Sequence, residues 1–226
     1  VTQKMTRKEI QFLFQGIVTT PFEEKSNPDA SWDDISKDKI RSFFNEAKII
    51  YEEIDPRKVL GSLNLSKGHE IKNAGVLFFA KDPRKLISQC QMTLVAFKGR
   101  DGVHIYDRKD AQSDLLTQFK EAILFLEKHL NIRSEIRGVD RQDIYEIPLE
   151  AMREAVANAI IHRDYSLRGT SIMVEVHEDR VVISNPGGVP DEMDETKLGQ
   201  LSIRRNELIA DMFARMDKVE RMGSGF

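Results

Sequence analysis

Cysteine is nearly absent from this sequence. The 226 residues hold one, Cys90, so an intrachain disulfide and a cysteine-rich zinc site are excluded. A lone thiol suits a reducing cytoplasm. Tryptophan is equally scarce, with Trp32 alone. No sign of charge prevails. The net charge is -3 at pH 7, so the surface as a whole does not advertise nucleic acid, and any DNA contact needs a local basic face. Long hydrophobic runs are missing too. The longest, Ala74 to Ala80, is far short of a membrane span, and no signal peptide is legible. No G-x-x-x-x-G-K-[ST] loop occurs, so no P-loop motor is visible. Internal repeats and low-complexity tracts are absent.

What remains is an ordinary globular composition, with 40% apolar and 31% charged residues. The length allows two modest domains or one large one. The first 20 residues read as a helix with Ile10, Leu13, Phe14 and Ile17 on one stripe. Pro21 and Pro28 mark a loop containing Trp32. Ser36 can cap a helix with Ile40, Phe43, Phe44, Ala47 and Ile50 inward, and Pro56 breaks it. The apolar run 73–80 reads as a buried strand. Strands at 91–97 and 103–106 flank the turn Lys98-Gly99-Arg100-Asp101-Gly102. A helix follows over 110–130, then a hairpin or two short strands over 131–147. Pro148 opens a helix reaching about His162. Strands at 171–176 and 181–184 and a helix over 206–216 complete the pattern. The overall expectation is an α/β (α+β) protein with a domain boundary near 131–147, giving units 1–135 and 136–226.

The helix after Pro148 carries the chemistry. Glu154 and Asn158 are four residues apart and share a face, with His162 one turn further on. Alanines at 151, 155, 157 and 159 let a bulky ligand approach the helix closely, while Val156 and Ile160 point elsewhere. A carboxylate can orient and deprotonate water. An amide oxygen can complete the octahedral shell of a magnesium ion that bridges phosphates. On spacing alone, an exposed Glu–Asn pair is the commoner meaning of such a pattern. Downstream, the strand Val181-Val182-Ile183-Ser184 runs into Asn185-Pro186-Gly187-Gly188. Two glycines let backbone come close to a flat ligand, although an ordinary turn also uses them. Gly223-Ser224-Gly225 is weaker still, since such stretches are frequent linkers.

Taken in order, these segments resemble a known family. The run REAVANAIIHRDYS, then DRVVISNPGGVP, then RRNELIA, then ERMGSG is similar to the GHKL-like (Bergerat-type) ATPase domain of bacterial and archaeal transcriptional regulators that are often labelled as related to RecG helicase. Upstream, NAGVLFFAKDP and the helix after it resemble the C-terminal half of their Schlafen AlbA-type domain. The resemblance implies an N-terminal partial AlbA-type α+β domain and a C-terminal Bergerat α/β sandwich, incomplete at its C-terminus. It implies that Glu154 is the general base and that Asn158 holds Mg2+. It places His162, Arg163 and Asp164 by the phosphates or the lid. Asn185, Gly187 and Gly188 would meet adenine, Arg204, Arg205 and Asn206 would lie in the lid, and Gly223, Ser224 and Gly225 would cradle phosphates. ATP and Mg2+ are the implied cofactors, and hydrolysis, where it occurs, is slow. Two features depart from the pattern. Typical relatives place an aspartate where Asn185 stands, so the adenine acceptor here carries no charge. The family also continues past Phe226, and its winged helix-turn-helix is the expected DNA reader, so DNA contact is expected through segments outside these residues.

Two rival classes stay open. One is a Schlafen-type nucleic-acid-processing enzyme, which needs a carboxylate cluster that residues 1 to 130 do not obviously supply. The other is a degenerate nucleotide fold serving as a homodimer scaffold. His69, His104, His129 and His177 are scattered without metal-ligand spacing. Cys90 reads as a small buried residue and Trp32 as a packing anchor. Lys81, Arg84, Lys85, Lys98 and Arg100 read as solvated loop charges interrupted by Asp82 and Asp101.

Overall fold

The computed structural model describes residues 20–51, 54–137, 140–188 and 204–218. Residues 1–19 of the helix expected over the first 20, and Gly223, Ser224 and Gly225, lie outside them. The chain is a mixed α+β protein. Among the described residues, two 3-10 turns (Phe22–Glu24 and Trp32–Asp34) are followed by three short α-helices: α1 (Lys37–Glu46), α2 (Pro56–Ser62) and α3 (Asn73–Phe79). Ser36 caps α1 by accepting from the Lys39 N–H, as its sequence suggests. The helix stops at Glu46, however, so Ile50 is 96% exposed rather than inward. Pro56 begins α2 instead of ending its predecessor, with Asp55 as the cap.

The run 73–80 is a correction. Asn73–Phe79 forms a helix, not a strand, and every residue in it is buried. An unbroken apolar run has neither period 2 nor period 3.6, so periodicity cannot separate the two states. Side-chain anchors at its start fix the outcome. Asn73 donates to the Phe22 carbonyl and accepts from Asn27. Gly75 lets the helix press on its neighbours, since a Cβ there would sit 2.9 Å from the Leu65 carbonyl oxygen.

A short hairpin, β1 (Ser66–Lys67) and β2 (Glu70–Ile71), precedes α3, and a single-turn helix α4 (Pro83–Leu86) follows it. The main sheet is built from β3 (Met92–Lys98), β4 (His104–Ala111), β7 (Ile172–Val176) and β8 (Val181–Ser184), in the order β4-β3-β7-β8. Strand β4 runs to Ala111, past the expected end at Tyr106, so the next helix α5 starts at Leu115 and ends at His129. The hairpin expected over 131–147 is present as β5 (Ile132–Arg137) and β6 (Asp140–Tyr145). Helix α6 spans Leu149–His162 and α7 spans Glu207–Arg215.

The expected boundary at 135/136 falls on the β5–β6 hairpin, yet the flanking halves share one sheet and one core. Strand β3 pairs in parallel with β7, Met92 opposite Ile172 and Ala96 opposite Val176. Parallel neighbours need a long crossover, which the α5, β5–β6 and α6 segment provides. Met92, Leu94 and Ala96 with Ile172, Val174 and Val176 form the buried face of the sheet. Helix α5 packs on β3, β4 and β7, and α6 packs on α5, β8 and α7. Cys90 is buried in this core, and burial pushes its thiol up to about 12, as befits a small apolar residue. Among the described residues, no helix is long and apolar enough to cross a membrane.

Candidate functional site

Helix α6 buries Val156, Ala157, Ala159, Ile160 and Ile161, which turns the opposite stripe outward. On that stripe Glu154 is exposed, while Asn158 and His162 are half-buried. Burial, together with the charges of Arg205 and Arg204, holds the His162 imidazole below its ordinary pKa. Both arginines of the Arg204-Arg205 pair therefore act on the end of this helix.

The glycine segment reaches the same place from β8. The Asn185 side-chain N–H donates to the Ala159 carbonyl at 2.9 Å, and the Asp164 N–H donates to the Pro186 carbonyl at 3.0 Å. These two bonds lay 185–188 against the C-terminal end of α6. The Asn185 side-chain oxygen is buried and has no hydrogen-bond partner among the described residues. Buried acceptors left empty are rare in folded proteins. Gly187 has φ +114°, a backbone conformation open to glycine. A Cβ at this position would collide with Arg205 Nη1 and lie 2.9 Å from Asp164 Cβ. Arg205 Nη2 donates to the Gly188 carbonyl at 2.6 Å, and Nη1 pairs with Asp164 at 3.3 Å.

Two of the expected ligand residues are buried and bonded within the fold. Arg163 is fully buried. Its guanidinium donates to the Gln91 carbonyl at 3.3 Å and the Thr170 carbonyl at 2.7 Å, and lies 5.4 Å from the Tyr165 ring centroid. Burial lowers its pKa from the ordinary arginine value. Asn206 is also buried, and its amide donates to the carbonyls of Ile161 at 2.7 Å and Arg163 at 2.8 Å. Both side chains are turned into the protein. The structure thus gathers His162, Asp164, Asn185, Gly187, Gly188 and Arg205 at one end of α6, with Glu154 and Asn158 one to two turns back along its outer stripe.

Residues 169–226 match a family model described as "Putative ATP-dependent DNA helicase recG C-terminal", which is of the HATPase type. That C-terminal quarter is similar to an ATPase-type domain. It includes β7, β8, the glycine segment and α7, and it starts after α6, so Glu154 and Asn158 lie outside the matched residues. No curated protein matches the chain. Among solved structures, the DIP2311 protein from Corynebacterium diphtheriae is similar with a TM-score of 0.73 at 19% identity, over 96% of this chain and 44% of that one. At this identity the likeness concerns the fold. The chain spans less than half the length of that protein.

A second group of residues has no motif to reveal it. At the opposite end of the main sheet, two clefts of about 260 and 570 Å³ share His129, Leu130, Asn131, Val176, His177 and Glu178. A register shift between Ala96 and Phe97 marks a bulge in the β3–β4 pairing. Beside it, Asp107 accepts from Lys128 and contacts His129 Nε2, each at 2.8 Å. These two hydrogen bonds hold the Asp107 carboxyl down at about 2. Phe97 stacks on His177 with centroids 4.8 Å apart. These charges largely satisfy one another.

Proposed function

We propose that the protein binds ATP with Mg2+ along the outer stripe of α6 and the Asn185–Gly188 segment, and that it is a DNA-associated transcriptional regulator. The observation that carries the nucleotide reading is the docking of the glycine segment on α6 with the Asn185 side-chain oxygen left as an unpaired acceptor. An adenine amino group is the kind of donor that oxygen lacks, and glycine backbone admits a flat ring. The residues present therefore fit a nucleotide. Asn158 would hold Mg2+, which when bound neutralises phosphate charge. Glu154 is exposed and free to orient a water molecule. His162 and Arg205 would supply N–H donors to phosphate oxygens, whereas Arg163 and Asn206 hold the backbone in place. The similarity of residues 169–226 to an ATPase-type model supports the same reading. Association with DNA rests on the resemblance to transcriptional regulators and on the helicase-related description of that model.

Phosphate release from MgATP tests the catalytic role. Glu154→Ala should abolish slow turnover while ATP affinity changes less than about two-fold. An unchanged rate in that variant would remove Glu154 from the mechanism.

A further inference from the structure

The two residues that hold the glycine segment also cover it. Resting on the nucleotide reading above, we propose that Asp164 and Arg205 form a latch over Gly187–Gly188, and that a nucleotide enters after this latch opens. Three contacts define the closed state. Arg205 Nη1 pairs with Asp164 Oδ2 at 3.3 Å, Arg205 Nη2 donates to the Gly188 carbonyl at 2.6 Å, and Arg205 leaves no room for a Cβ above Gly187. The guanidinium therefore occupies the surface that a flat base would need. The buried, unpartnered Asn185 oxygen lies two residues before Gly187, in the segment that the latch covers.

The latch is built to open. Its side chains are partly solvated, at 21% exposure for Arg205 and 30% for Asp164. Ion pairs of that exposure are weak, so breaking one needs little driving force. Asp164 keeps its place when the pair breaks, because its other carboxylate oxygen accepts from the Ser166 N–H at 2.9 Å and the Ser166 hydroxyl at 2.5 Å. Its own N–H stays on the Pro186 carbonyl. Arg205 alone moves, and its charge is then free for the phosphates that the same site would bring. A closed state that dominates lowers the apparent affinity by the fraction of molecules that are open.

The experiment is a calorimetric titration of MgATP into the wild-type protein, Asp164→Asn, Arg205→Gln and the double variant. Asp164→Asn retains an oxygen for Ser166 and removes the charge that holds Arg205. Asp164→Asn should bind roughly three- to ten-fold more tightly, whereas Arg205→Gln loses its phosphate contact along with the latch and should bind more weakly than Asp164→Asn. The double variant should gain no more than the better single one, because both remove one contact. Unchanged or weaker binding by Asp164→Asn would overturn the latch and leave the nucleotide site standing. Absence of binding by all four proteins at millimolar MgATP would overturn the nucleotide reading and the latch with it.

Discussion

The side-chain amide of Asn206 donates to the main-chain carbonyl of Arg163 at 2.8 Å, and its second donation goes to Ile161. One residue at the start of α7 thereby closes the end of α6. Helices leave their last carbonyls without intrahelical partners, and these two are buried. Asn206→Ala should therefore cost about 2–3 kcal/mol in denaturant unfolding, since two buried acceptors lose their donor. A loss below about 0.5 kcal/mol would show that solvent or another donor replaces it.

Asn206 turns away from its own helix, and Glu23 takes over the N-terminus of α7. Its carboxylate, 1% exposed, accepts from the N–H groups of Leu208 and Ile209 at 2.9 Å each. Burial raises the Glu23 pKa from 4.5 to about 7, against the pull of those two N–H groups, and Glu24 and Glu207 add to the rise. The folded state thus binds this proton more tightly than the unfolded chain does. Stability from this group is full below about pH 4.5 and falls as pH rises to about 7, by up to about 3 kcal/mol. The difference in unfolding free energy between wild type and Glu23→Gln across pH 4 to 8 should trace that fall. Parallel profiles would contradict it.

Arg163 is a structural cation. Arg163→Lys cannot serve both the Gln91 and Thr170 carbonyls, and should lower stability by roughly 2–4 kcal/mol. ATP affinity measured well below the melting temperature should change less than about two-fold. Intact stability with lost affinity would instead return Arg163 to the ligand.

Gly75 reports on the helical state of residues 73–79. Its position leaves no space for a methyl group beside the Leu65 carbonyl, Ile71 and Leu60. Gly75→Ala should destabilise by about 1–3 kcal/mol through overpacking, although alanine is the better helix former. A stabilised variant would contradict the packing around α3.

Local signals made much of this fold legible. Ser36, Pro148 and the turn glycines marked element ends that the structure shows within a few residues. The buried run 73–80 did not yield, because a segment buried on all sides shows no periodicity. Long-range pairing was equally silent. Nothing near β3 announces that β7, some eighty residues later, will lie beside it in parallel. The site divides the same way. The glycine segment and the helix ending in His162 could be read as neighbours from their resemblance to a known pattern. The roles of Arg163 and Asn206 could not, since their partners Gln91, Thr170 and Ile161 are chosen by packing rather than by spacing. Glu23 contacts residues 185 and 186 positions away and left no local trace.

The most direct measurement is a calorimetric titration of MgATP into wild-type protein and Asn158→Ala. Saturable heat in the wild type, with at least about ten-fold weaker binding when the amide is removed, is the expected result. No heat from the wild type at millimolar MgATP, or equal affinity in both proteins, would contradict a nucleotide site on the outer stripe of α6.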